Sequence, residues 1–200
     1  TFGGGVFLST NSGMSWTAVN VGLTNSSLRS LTVSGTNLFA GTQGGLYLST
    51  NNGTNWTAVN TGITNTFIWS LAASGTRLFA GTAGAGVFLS TNNGTSWSVA
   101  SNGFTNSTIS CFAVMGTNLF AGVYGGGVSL STDNGTSWTT ASTGLTDTDV
   151  RTLAVIGTNL FAGTYSNGGV FLSTNNGAGG SAVNTGLTAK QTLALAVSGT

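Results

Sequence analysis

One eight-residue pattern recurs five times and divides the whole chain. Its fullest copy is Ser131-Thr132-Asp133-Asn134-Gly135-Thr136-Ser137-Trp138, and near-copies start at Ser9, Ser49, Ser90 and Ser173. Successive serines stand 40, 41, 41 and 42 residues apart. A period of this length marks a repeat architecture, in which each unit buries its apolar face only against its neighbours.

Every unit follows one plan. A short apolar run (Leu28 to Val33) meets a Gly-Thr-Asn turn, then Leu38-Phe39-Ala40-Gly41, a Gly-rich loop, and Leu46-Tyr47-Leu48. The eight-residue pattern follows, and Trp56 to Asn60 leads out to the next unit. These are four short runs rich in β-branched and aromatic residues, bounded by Gly and Asn, so each unit predicts four strands, A to D. No window carries a helical period. Four antiparallel strands in about 41 residues match one blade of a β-propeller. A β-solenoid is the rival, but its coil is shorter and has no use for one Trp per unit. The expectation is an all-β single domain over residues 1–200, a five-bladed β-propeller of four-stranded antiparallel blades.

The last blade is expected to be shared by the two chain ends. The chain starts in strand C, Val6 to Thr10, and finishes on strand A, Leu193 to Val197, with an A–B turn at Ser198-Gly199-Thr200. Its two ends together fall about five residues short of a repeat, the length of strand B. Either strand B lies outside this sequence or another segment fills the slot. Filling by a neighbouring molecule would drive self-assembly by strand addition.

The recurring turn resembles the Asp-box, or bacterial neuraminidase repeat. The resemblance covers the whole chain, through Asn11, Gly13 and Trp16; Asn51, Gly53 and Trp56; Asn92, Gly94 and Trp97; Asp133, Gly135 and Trp138; and Asn175 with Gly177. Only Asp133 keeps the acid, and Gly180 stands in the fifth Trp slot. In that family, which includes sialidases, sortilin-type receptors and photosystem assembly factors, the box implies a structural hairpin turn away from the ligand face. Turn chemistry agrees, since an Asx side chain bonds nearby backbone amides and Gly supplies positive φ. The fifth unit, without its Trp, is expected to be the weakest packed.

Charged residues are 4% of the chain, with net charge +1 and neither Glu, His nor Pro. Nothing in this balance predicts nucleic-acid binding, and no apolar stretch predicts membrane insertion. The Thr- and Asn-rich polarity predicts an extracellular or cell-surface setting. Catalysis is not expected. The resemblance to sialidases implies an arginine cluster, a Tyr–Glu pair and an Asp acid/base, and this chain has no Glu. Paired-carboxylate hydrolysis needs two acids at a set separation; Asp147 and Asp149 lie two apart in one loop. With one cysteine and no histidine, no metal site or cofactor is expected. Cys111 is read as a small buried side chain. Asn-x-Ser/Thr sequons, Asn106 among them, arise largely from the repeat.

Comparing the five units with one another locates the variable positions. The D–A and B–C loops and the start of strand A differ most. They carry Arg29, Phe67, Trp69, Tyr124, Asp147, Asp149, Arg151, Tyr165 and Asn167, with Phe2 nearby. This set is the candidate ligand or partner face, for a protein or glycan. By strand alternation Trp69 shares the buried side of Leu71. The function expected is a non-catalytic binding or structural module of a larger secreted or surface protein. Its alternatives are a lectin-like sugar binder and an assembly subunit.

Overall fold

The structure is a computed structural model that describes residues 1–105 and 107–198. The Asn106 sequon and the end of the expected A–B turn, Gly199-Thr200, lie outside the described residues. Two compact units are formed, Thr1–Ala83 with Val87–Val99, and Gly84–Gly86 with the chain from Ala100 onward.

The first unit begins with a two-stranded sheet of β1(Phe7–Leu8) and β2(Thr17–Ala18). A four-stranded sheet follows, from β3(Leu28–Ser34), β4(Asn37–Thr42), β5(Gly45–Ser49) and β6(Thr57–Ala58). The next sheet is β7(Ile68–Ser74), β8(Arg77–Thr82), β9(Val87–Ser90) and β10(Ser98–Val99). The second unit repeats the arrangement twice. One sheet holds β11(Ile109–Met115), β12(Asn118–Val123), β13(Gly127–Ser131) and β14(Thr139–Thr140). The other holds β15(Val150–Ile156), β16(Asn159–Thr164), β17(Val170–Ser173) and β18(Ser181–Ala182). Each four-stranded sheet is an antiparallel meander in sequence order.

The fifth repeat differs from the other four. The expected closing blade is not formed as one sheet: β1 and β2 pair only with each other, and the expected strand A at Leu193–Val197 has no strand assigned. No strand B is described beside it to supply a ladder. It nevertheless keeps strand A's contact with the preceding sheet. Leu195 N donates to Thr152 Oγ1 at 3.1 Å, as Leu71 N donates to Ser30 Oγ at 3.0 Å.

All five boxes close in the same way. The Ser hydroxyl accepts the Gly amide, at 2.9 Å for Gly13 to Ser9 and 2.8 Å for Gly135 to Ser131. The Asx Oδ1 accepts the amide four residues on, at 2.9 Å both for Ser15 to Asn11 and for Ser137 to Asp133. The residue before the Gly is left-handed: φ is 58° at Ser12 and 54–59° at Asn52, Asn93, Asn134 and Asn176. Asn is several-fold enriched in that region. These bonds need only an oxygen acceptor, so Asn replaces Asp without loss of the turn.

The single acid reverses one bond. Asn11 and Asn92 donate Nδ2 to Ser15 and Ser96, whereas the Ser137 hydroxyl donates to Asp133 Oδ2 at 2.5 Å. Ser137's hydroxyl and amide, with Ser131's hydroxyl, hold the Asp133 carboxyl at about 2. A depressed folded-state pKa contributes stability above about pH 4 that is lost as pH falls through about 2. Asp133→Asn should therefore lower the urea midpoint slightly at pH 7, and its difference from the wild type should shrink as pH falls from about 4 and vanish below about 2. A constant offset across that range would contradict this account.

The box Trp bonds backbone carbonyls of the segment that leaves the preceding box. Trp56 Nε1 donates to Val19 O at 2.8 Å, Trp97 Nε1 to Val59 O at 3.0 Å and Trp138 Nε1 to Ala100 O at 2.9 Å. Their backbone amides donate in parallel to Val21, Thr61 and Asn102. These three indoles are buried, while Trp16 is 63% exposed.

Cys111 packs its sulfur beside Ser110 and Gly122. Burial pushes its thiol up to about 12, against smaller opposing hydrogen bonds from Ser110 and the Gly122 amide. A thiol that stays protonated near neutral pH is a poor nucleophile.

Candidate functional site

The variable residues at the start of strand A occupy a backbone irregularity. The ladder register shifts between Leu28 and Ser30, between Ile68 and Ser70, between Ile109 and Cys111, and between Val150 and Thr152. Arg29, Trp69, Ser110 and Arg151 are thus bulge residues. A bulge leaves one residue unpaired and re-aims its side chain. Alternation counted across the bulge therefore does not fix the side that Trp69 faces, and Leu71 itself is half-buried. Trp69 is half-buried between the buried Ile68 and Ser70, and its ring stacks on Phe67 with centroids 5.3 Å apart.

In the first unit the two bulge residues meet. The Arg29 guanidinium carbon lies 4.8 Å from the Trp69 ring centroid, 5.6 Å from Phe67 and 5.0 Å from Phe2. Phe2 is 75% exposed. The chain's acids are Asp133, Asp147 and Asp149, all in the second unit, so the first unit has no carboxylate for Arg29. Among the described residues Arg29 is a cation walled by aromatic rings.

In the second unit Arg151 lies between two tyrosines, 4.4 Å from the Tyr124 centroid and 4.6 Å from Tyr165. Asp149 holds it from the side. Nε stands 2.7 Å from Oδ1, an ion contact outside hydrogen-bond angles, while Nη2 donates to Oδ2 at 3.1 Å. The two tyrosines are 53% and 40% exposed.

Asp147 and Asn167 serve the loops instead. Asp147 accepts the Asp149 amide at 3.0 Å and the Gly168 amide at 2.9 Å. Burial raises its carboxyl, but these amides outweigh it and hold the group below its ordinary range. Asn167 takes φ 78°, a turn position. Among the described residues no group of three or more His, Cys, Asp or Glu gathers to hold a metal. No helix there is long and apolar enough to cross a membrane.

Comparison with known proteins bears on the fold. Residues 6–104, about half of the chain, match the model described as the DUF6242 beta propeller domain. An ancestral GH74 enzyme superposes with a TM-score of 0.75 at 23% identity, over 96% of this chain and 30% of that one. This fold is a β-propeller. The extracellular domain of a candidate hybrid two-component system from B. thetaiotaomicron matches with a TM-score of 0.68 at 17% identity, over 83% of this propeller and 26% of that chain. YCF48 bound to D1 peptide gives 0.63 at 19% identity, over 88% and 59%. The propeller therefore spans about a third of the GH74 enzyme's chain and about a quarter of that extracellular domain. Comparison with curated proteins gives no match.

Proposed function

We propose that this propeller is a non-catalytic binding module, and that its partner contacts fall on the arginine–aromatic clusters. The observation that carries this reading is the use of strand-A bulges to present Arg29 and Arg151 against exposed rings. Aromatic and arginine side chains dominate the energetics of recognition surfaces, and an arginine held flat by stacking loses little entropy on binding. The acids support no proton-transfer role. Asp133 is committed to a turn, Asp147 to backbone amides and Asp149 to Arg151. Likeness to extracellular domains supports an extracellular or surface setting, and YCF48's peptide complex is a precedent for a protein partner. A glycan is the other partner class.

The test uses the chain against immobilised neutral and acidic oligosaccharides and extended peptides. Arg29→Ala and Tyr124→Ala are read separately: the variant whose cluster carries the interaction should weaken it about tenfold or more, with an unchanged thermal midpoint. Retained affinity in both variants would move the site elsewhere. Efficient hydrolysis of a sialoside would remove the non-catalytic reading.

A second reading, self-assembly at the edge near β1, rests on one specific observation. Val6, Phe7, Trp16, Leu28 and Leu31 line an apolar groove, and Leu31 and Val33 are exposed on β3. Concentration-dependent sedimentation that Trp16→Ala abolishes would favour it. A concentration-independent monomer would exclude it.

A further inference from the structure

We propose that the Trp-less fifth box forms a binding site for a small bicyclic aromatic of the indole class. The filled slots define what such a site looks like. Around Trp56, Val6, Ala40 and Tyr47 are buried, with Val19, Leu23 and Leu38 packed against them. Around Gly180, a cleft is lined by Val128, Ala162 and Phe171, with Ala141, Leu145 and Leu160. The repeat equates these walls position by position: Val6 with Val128, Val19 with Ala141, Leu23 with Leu145, Leu38 with Leu160, Ala40 with Ala162, Tyr47 with Phe171. The walls of an indole slot persist, and the indole is missing.

The polar partner persists as well. In the filled slots the indole N–H is received by the carbonyl of Val19, Val59 or Ala100. Ala141 is their counterpart. The backbone that would present the ring is also in place, since Gly180 N donates to Thr143 O at 2.8 Å as Trp138 N does to Asn102 O at 2.9 Å. Trp97 also shares its N–H with the Gly94 carbonyl, whose counterpart Gly177 lines the cleft, so an apolar cleft with backbone carbonyls suits a ligand with one N–H on an otherwise apolar ring system. Charged and aliphatic ligands would leave either a charge or the carbonyls unpaired.

As it stands the cleft has room for about one water: ≈ 10 Å³ admits a water-sized sphere, and ≈ 250 Å³ is atom-free only when open solvent at its mouth is included. Leu145 borders it, with Cδ1 3.3 Å from where a Gly180 Cβ would stand. That is the far end of a flexible side chain, so it can swing aside at modest cost. Affinity should be correspondingly weak, with a Kd on the order of 0.1–1 mM for free indole.

The test titrates indole into the isotopically labelled chain and follows amide chemical shifts. Saturable shifts at Val128, Ala141, Leu145 and Phe171 are expected, with a raised thermal midpoint. Gly180→Trp, which fills the slot covalently, should reduce indole affinity at least tenfold. No saturable shift up to the solubility limit of indole would overturn the proposal. Shifts confined to other residues would overturn it equally, whether or not Gly180→Trp folds.

Discussion

Trp97→Ala should cost about 3–5 kcal/mol of unfolding free energy, the usual loss for a buried Trp. The same change at Trp16 should cost less than about 1 kcal/mol, as expected of a surface substitution. The two residues hold the same place in the repeat, so the contrast isolates context from chemistry. Trp97 is 5% exposed, and its Nε1 is shared between Val59 O at 3.0 Å and Gly94 O at 3.2 Å. Truncation removes the apolar contact, opens a cavity between two adjacent blades, and leaves the Val59 carbonyl without its donor. Trp16 is 63% exposed and makes no comparable contact among the described residues. Urea midpoints of the two variants decide the matter. Equal losses would mean that Trp16 is covered in solution, and that the edge near β1 is an occupied interface.

The box was readable because five copies sample one turn. Variation among Asn11, Asn51, Asn92, Asp133 and Asn175 showed that an oxygen acceptor, not a charge, is the requirement. The strand count followed from the same repetition. The bulges leave a faint trace, since Leu28, Leu31 and Val33 in β3, and Val150, Leu153 and Val155 in β15, break the period of two. A further mark in the sequence is that Arg29, Trp69, Ser110 and Arg151 vary after a constant aliphatic residue, Leu28, Ile68, Ile109 or Val150. That variation marks the residues, while the bulge makes the side that Trp69 faces unreadable by alternation. Grouping was not readable either. Phe67, Trp69 and Arg29 come from two blades, and only packing shows that Arg29 lacks the acid that Arg151 has. For the fifth box, the missing indole was plain at Gly180, but the persistence of its walls required the structure.

Gly62→Ala should be about as damaging as loss of a core Trp, on the order of 3 kcal/mol or more. Gly62 follows Thr61, whose carbonyl accepts the Trp97 amide at 2.9 Å. That bond draws the two backbones together, and a Cβ on Gly62 would collide with the Trp97 carbonyl oxygen. The obstacle is backbone, which cannot rotate away as a side-chain tip can. Its φ of +91° adds a second penalty, since L-residues rarely adopt it. Gly22 and Gly103 stand in the same relation to Trp56 and Trp138, with φ of 89° and 105°. Gly186 has the same place in its repeat and φ of 84°, but a Cβ there meets nothing within 4 Å. Gly186→Ala should therefore cost only the conformational term, about 1–2 kcal/mol. The difference between the two variants measures how closely neighbouring blades approach at the box. If Gly62→Ala and Gly186→Ala lose the same stability, the positive φ accounts for both losses. The Thr61–Trp97 approach would then not be a constraint on the sequence.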